Sequence, residues 1–244
     1  DINNDGSEDL LFIATQLNSG STNIYYYLNQ ANNGLDINAT EIQQLFVLGS
    51  GFPNNENFEL NDIDGDGFKD LLIGRSTGKL EYHRNTGSNT APTFDLVDDS
   101  FYGLDFSPFR QNPAPVIGDL DGDGKEELLI GDAGGNFTVF PDFRSSIETP
   151  GSGVTKLFRD AQSDSLVLSL GNRLLPSIVN LFNDDKPSIV FGTGGGGLRI
   201  IRNSEAIGNP IVRFDRNLTV FPNPVKKGGV ITIAAKENTS VAIV

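Results

Sequence analysis

The chain has no cysteine, no methionine, no tryptophan and a single histidine. Lack of cysteine removes disulfides, thiolate metal sites and cysteine nucleophiles together. One histidine leaves any imidazole-based mechanism a single candidate, His83. Positive charge is scarce: 18 Lys and Arg stand against 32 Asp and Glu, a formal net charge of −14. Such a surface repels phosphate backbones, which argues against nucleic-acid binding. No apolar run approaches the ~20 residues of a membrane-spanning helix, and no basic-then-apolar leader is visible at the N-terminus. Helical periodicity is not sustained anywhere, and 28 Gly with 12 Pro oppose long helices. What remains is 244 residues, 37% hydrophobic and 20% charged, which is enough to bury a core in one or two domains. The chain opens at Asp1, inside a motif, and is expected to be a piece of a longer polypeptide.

That motif recurs. DINNDGSEDLLFIA begins at Asp1, DIDGDGFKDLLIG at Asp62, DLDGDGKEELLIG at Asp119 and NLFNDDKPSIVFG at Asn180, at intervals of 61, 57 and 61 residues. Each is followed by a second landmark, ending at Asn29, Asn85, Asp142 and Asn203. The offset from motif to landmark is 28 residues in the first copy and 23 in the others. A fixed period of this kind signals a propeller or solenoid. Within a repeat, Leu71-Leu72-Ile73-Gly74 reads as a strand, Arg75–Gly78 as a turn and Lys79–Arg84 as the returning strand. Glycines at 134–135 and 194–197 take the turn role in later copies. Thr93–Val97 or Pro210–Phe214 supplies a third strand, and Pro115–Gly118 a strand leading into the next motif. The expectation is all-β: four antiparallel strands per ~60 residues, the content of one propeller blade.

The repeated loop is D-x-D/N-x-D-G-x-x-D/E. Carboxylates at positions 1, 3 and 5 converge when the backbone wraps round a point, and Gly at position 6 permits the sharp turn. Position 7 offers its carbonyl and position 9 another carboxylate. The candidate ligands are Asp1, Asn3, Asp5, Ser7 and Asp9; Asp62, Asp64, Asp66, Phe68 and Asp70; and Asp119, Asp121, Asp123, Lys125 and Glu127, with Ser7, Phe68 and Lys125 acting through backbone oxygen. An all-oxygen set of six or seven suits Ca²⁺ better than Zn²⁺, Cu²⁺ or the tighter octahedron of Mg²⁺. An EF-hand would need a bidentate Glu at position 12, where Phe12, Ile73 and Ile130 stand. The bland alternative is three solvated acidic turns, since Asp and Asn favour turns anyway. The loops at 62 and 119 are well formed. The first is weakened by Asn3, and the fourth, with Phe182 at position 3 and Asp184, Asp185 and Ser188 replacing acid, Gly and acid, is expected to keep its turn and lose the metal.

These residues resemble the FG-GAP/VCBS repeat, above all PAPVIGDLDGDGKEELLIGDAGGNFTVF at 113–140 and YHRNTGSNTAPTFDLV at 82–97. The resemblance covers about 1–214 and implies a β-propeller, usually of about seven blades, with calcium loops between the first and second strands of each blade. It divides the chain into a partial blade at about 1–56, then 57–112, 113–173 and 174–214, with missing blades upstream. A second resemblance lies at 215–244. LTVFPNPV at Leu218–Val225 followed by KKGGVITIAA looks like the start of a type A C-terminal sorting domain of the type IX secretion system, a small β-sandwich that is truncated here. In physical terms Pro222 and Pro224 stiffen a linker, Lys226–Gly229 turns, and Val230–Ala234 alternates as a strand. An ordinary Pro-rich boundary before another β domain is the alternative. The sorting resemblance implies a secreted or cell-surface protein that engages the secretion machinery through its tail.

Other features are weaker. His83 aligns with Tyr27, Phe140 and Ile201, so it reads as a structural strand residue. Gly192–Gly197 contains a GxGxxG match, but a strand follows it where a phosphate site would need a helix. Tyr25–Tyr27 and Phe101-Tyr102 are possible sugar platforms, although strand aromatics more often pack between sheets. The functional expectation is a non-catalytic, calcium-stabilised adhesion or ligand-binding region with an unidentified protein or glycan ligand. The alternatives are an accessory region of a secreted polysaccharide-degrading or proteolytic enzyme whose catalytic domain lies upstream, and a structural spacer.

Overall fold

The computed structural model describes residues 1–3, 5–29, 37, 39–50, 56–147, 152–155, 170–183 and 186–202, and the backbone of four short strands besides. The fold is all-β, in small antiparallel sheets. The first sheet holds β1 (Leu10–Thr15), β2 (Ser21–Tyr27) and β3 (Gln43–Ser50). The second holds β4 (Asn57–Asn61), β5 (Asp70–Gly74), β6 (Leu80–Asn85) and β7 (Phe94–Asp98) in sequence order. The third holds β8 (Ala114–Gly118), β9 (Glu127–Gly131) and β10 (Phe137–Phe140). A short ladder of β11 (Phe158–Arg159) and β12 (Ser165–Leu166) precedes the fourth sheet, β13 (Leu175–Val179), β14 (Ser188–Gly192) and β15 (Leu198–Ile201). A pair, β16 (Leu218–Phe221) and β17 (Thr232–Ala235), lies in the C-terminal segment. Among the described residues the only helical pieces are 3-10 turns at Ala39–Glu41, Phe101–Gly103 and Phe143–Ser146.

Among the described residues only the second sheet shows four strands. In the third repeat a single bridge, Val139 with Val154, stands beside β10. The turn at 143–146 intervenes there and sinks the Phe143 ring into the core. The proposed strand at 210–214, the turn at 226–229 and Asp184 and Asp185 lie outside the described residues.

The apolar runs of the second and third repeats are explained by packing on both sides. Leu71 and Ile73 of β5 meet Ile24, Ile13 and Phe46 of the first sheet. Leu72, between them, points the other way and joins Leu80, Tyr82, Leu128, Ile130 and Phe140. The pattern shifts along by one sheet: Leu128 and Ile130 face back, while Leu129 faces forward with Phe137 and Val139 onto Leu174 and Phe191. Alternate side chains of a strand point to opposite faces, so a middle strand covered on both faces must be apolar throughout. Each fully buried aliphatic side chain contributes about 1.5–3 kcal/mol.

The glycine that ends the run has its own reason. A Cβ on Gly74 would lie 1.6 Å from the Pro113 carbonyl oxygen, and one on Gly131 2.6 Å from that of Leu174. The chain leading into the next sheet crosses there and is held by backbone bonds, Asn112 N–H to Arg75 O at 3.1 Å and Leu174 N–H to Asp132 O at 2.9 Å.

Candidate metal centre

The acidic loops sit between β4 and β5 and between β8 and β9, with the copy at Asp1 leading into β1. The loops at 62 and 119 are folded by one ladder of hydrogen bonds, and the first loop shares all but one of its rungs. Asp62 accepts the N–H of Gly65 at 2.8 Å and of Gly67 at 2.9 Å; Asp64 accepts from Asp66 at 3.1 Å, and Asp66 from Phe68 at 2.9 Å. Asp119 accepts from Gly122 at 2.7 Å and Gly124 at 2.9 Å, Asp121 from Asp123 at 3.1 Å, and Asp123 from Lys125 at 2.8 Å. In the first loop Asp1 accepts from Asp5 and Gly6, both at 3.0 Å, Asn3 from Asp5 at 3.2 Å, and Asp5 from Ser7 at 2.8 Å. Position 6 is left-handed in each copy, with φ of 87° at Gly6, 90° at Gly67 and 83° at Gly124. Only glycine adopts that conformation without strain.

Two clusters of acids result. Asp62, Asp64 and Asp66 place carboxylate oxygens within 4.8 Å of one another, as do Asp119, Asp121 and Glu127. These hard, close-set oxygen donors, exposed or half-buried except for the buried Glu127, fit Ca²⁺; they lack the nitrogen or sulfur that Zn²⁺ or Cu²⁺ prefers. The first loop differs, because Asn3 donates its amide N–H to Asp5 at 2.8 Å. That bond, then the Ser7 N–H, holds the Asp5 carboxyl below the usual range.

The ninth position has a second task beside the cluster, which in the 119 copy includes Glu127 and not Asp123. Asp70 is buried and accepts from Ile63 N–H at 3.1 Å, Asn85 N–H at 2.8 Å and Tyr82 OH at 3.1 Å. Asp9 accepts from Ile2 N–H at 2.6 Å and Asn29 N–H at 2.8 Å, and Glu127 from Leu120 N–H at 2.7 Å. This carboxylate clamps the loop's second residue and in all three copies also ties it to the backbone of the landmark residue, Asn29, Asn85 or Asp142. Burial raises the pKa of both Asp70 and Glu127. A nearby cation would favour their ionised forms.

The rest of the bracing was not read from the sequence. Asn89 accepts from Lys69 N–H at 2.7 Å and donates to Gly67 O at 3.1 Å. Arg84 pairs with Asp64 at 2.7 Å and Asp66 at 3.0 Å. Phe68 N–H, then Arg84, holds the Asp66 carboxyl below its ordinary value. Arg144, from the third repeat, reaches Glu126 at 2.7 Å, Asn61 at 2.7 Å and the carbonyls of Asp62 and Ile63, tying one acidic loop to the next.

His83 is buried, 2.9 Å from Glu81 and edge-on to Phe46, which is a packing role. The glycines at 194–197 form the turn between β14 and β15. Phe101 and Tyr102 are 2% and 5% exposed, so they offer no sugar platform; their rings fill the space between the second and third sheets. Tyr26 and Tyr27 are buried and Tyr25 stacks on Phe12.

Among the described residues no helix is long and apolar enough to cross a membrane. No curated protein matches the chain. Residues 62–130, which hold both convergent acidic clusters and the strands between them, match the family model of an FG-GAP-like repeat.

Proposed function

We propose that this chain is a calcium-binding, non-catalytic region of propeller-type repeats in a secreted or cell-surface bacterial protein, where it serves adhesion or ligand binding. The observation that carries the reading is the identical hydrogen-bond ladder of the loops at 62 and 119. It commits one oxygen each of Asp64, Asp66, Asp121 and Asp123 to backbone N–H groups and leaves the other. Acids gathered this closely repel one another, and a divalent ion relieves that repulsion. Rigid sheets packed in series then hold their connecting loops for a protein or glycan partner. A non-catalytic role is supported by the engagement of inner carboxylates outside the loops: Glu56 pairs with Arg75 at 3.0 Å, and Glu81 with Arg75 at 2.7 Å. Export through the type IX route, with 215–244 as the start of the sorting domain, belongs to the same proposal and rests on the tail sequence.

Thermal unfolding tests the calcium reading. The melting temperature is expected to be at least several degrees higher in millimolar Ca²⁺ than in chelator, since a ligand that binds only the folded state stabilises it by mass action. Equal melting temperatures would overturn it.

A further inference from the structure

The two loops share the D-x-D-x-D-G core and differ after it, with Phe68-Lys69 in one and Lys125-Glu126 in the other; they also differ in which carboxylates a cation covers. The guanidinium of Arg84 lies against the 62–70 loop, with Nε 2.7 Å from Asp64 Oδ2 and Nη2 3.0 Å from Asp66 Oδ2. The Oδ1 atoms of both residues already accept N–H groups of the loop. Arg84 therefore covers the oxygens that the backbone leaves. Around the 119–127 loop, no ion pair to Asp119, Asp121 or Asp123 occurs among the described residues; Lys125 pairs with Asp142 at 2.6 Å and acts on Asp121 and Asp123 only from a longer distance, without covering their oxygens. The repeat position of Arg84 is Pro141 there and Leu28 in the first copy.

The fourth copy has the same reach. Arg202 stands at the position of Arg84 and Phe182 at that of Asp64, and the Arg202 guanidinium lies 4.3 Å from the centre of the Phe182 ring. Where the repeat carries an arginine at this position, as at Arg84 and Arg202, it covers the loop's third residue whether or not that residue is charged.

We infer that Arg84 is a resident counter-cation that must leave Asp64 and Asp66 before the 62–70 loop takes calcium, so that the loop at 119 fills at lower calcium than the loop at 62. The inference rests on the calcium reading above. The Arg84 side chain is 47% exposed, which leaves it room to move aside into water. A unit charge about 5 Å from a divalent ion, largely screened by water, changes affinity by roughly tenfold.

The test is a calcium titration of the whole chain followed site by site at the backbone amide resonances of Gly67 and Gly124. In the native protein the Gly124 signal is expected to shift at about tenfold lower calcium than Gly67. Arg84→Gln is expected to bring the Gly67 midpoint down by about tenfold and leave Gly124 in place. Arg84→Lys, which keeps the charge and loses the fork, is expected to fall between. The gain from Arg84→Gln should shrink at high salt, as competition between charges does and a purely structural effect does not. Calcium binding at both glycines with a Gly67 midpoint unmoved by Arg84→Gln would overturn the counter-cation and spare the calcium reading. No calcium-dependent shift at either glycine, in native protein and variant alike, would overturn both.

Discussion

Glu59 sits on β4, where the second sheet meets the third, and the N–H of Ile117 donates to its carboxyl. Burial pushes this carboxyl up to about 8, against a bond that works the other way. An unfolded Glu titrates near 4.3. Between about pH 4.3 and 8 the folded chain therefore holds a proton that the unfolded chain has released, and stability falls as pH rises through that window. Glu59→Gln is expected to remove the slope. The variant should be close to neutral at pH 4 and gain roughly 4 kcal/mol at pH 8, read by urea unfolding at the two values. A gain of the same size at both would show that Glu59 does not titrate in this way. Glu81 has the opposite sign. Burial opposes its ionisation, but His83 and Arg75 hold it down to about 2. Its contribution is present above the unfolded value and is lost as pH falls towards 2.

At the scale of elements, the contact that sets the spacing of the sheets is backbone against backbone. Gly74 ends β5 with the Pro113 carbonyl where a Cβ would stand, so Gly74→Ala must push the second and third sheets apart. Overpacking of this kind costs about 3 kcal/mol or more when backbone cannot yield. Gly195, in the turn between β14 and β15, has nothing within 4 Å of an added Cβ and no positive φ. Gly195→Ala is expected to leave stability within about 0.5 kcal/mol of the parent. Chemical denaturation of the two variants side by side checks the pair, and an unaffected Gly74→Ala protein would contradict the sheet spacing.

For the whole molecule the dominant quantity is the charge of −14. Much of it lies in the acidic loops, where like charges are close and water-exposed. Self-repulsion of that kind is screened by salt over a Debye length of about 8–10 Å. In chelator, raising sodium chloride to 0.5 M is expected to lift the melting temperature by a few degrees, and in saturating calcium by less. Equal salt responses in the two conditions would locate the repulsion elsewhere.

The strand–turn–strand unit was legible because its signals are local. Leu71–Gly74, the turn at 75–78 and the returning strand follow from apolar runs and glycine placement, and the structure has β5 at Asp70–Gly74 and β6 at Leu80–Asn85. The turn of the acidic loop, with glycine at its sixth position, was legible for the same reason, since it is set by residues two to five apart. Asn89, Arg84 and Arg144 were not, because they arrive from 18 to 83 residues away and carry no local pattern.

By itself the sequence determined that the chain is a β repeat with recurrent acidic loops, because period, turn chemistry and hydrophobic alternation act within a few neighbouring residues. Only the tertiary structure decided which sheet faces which, that the ninth carboxylate serves as a clamp, and that two loops of nearly the same spelling sit in different electrostatic surroundings. Those outcomes depend on side chains delivered by other strands, and the field at a carboxylate is set by distance in space, which chain order does not encode.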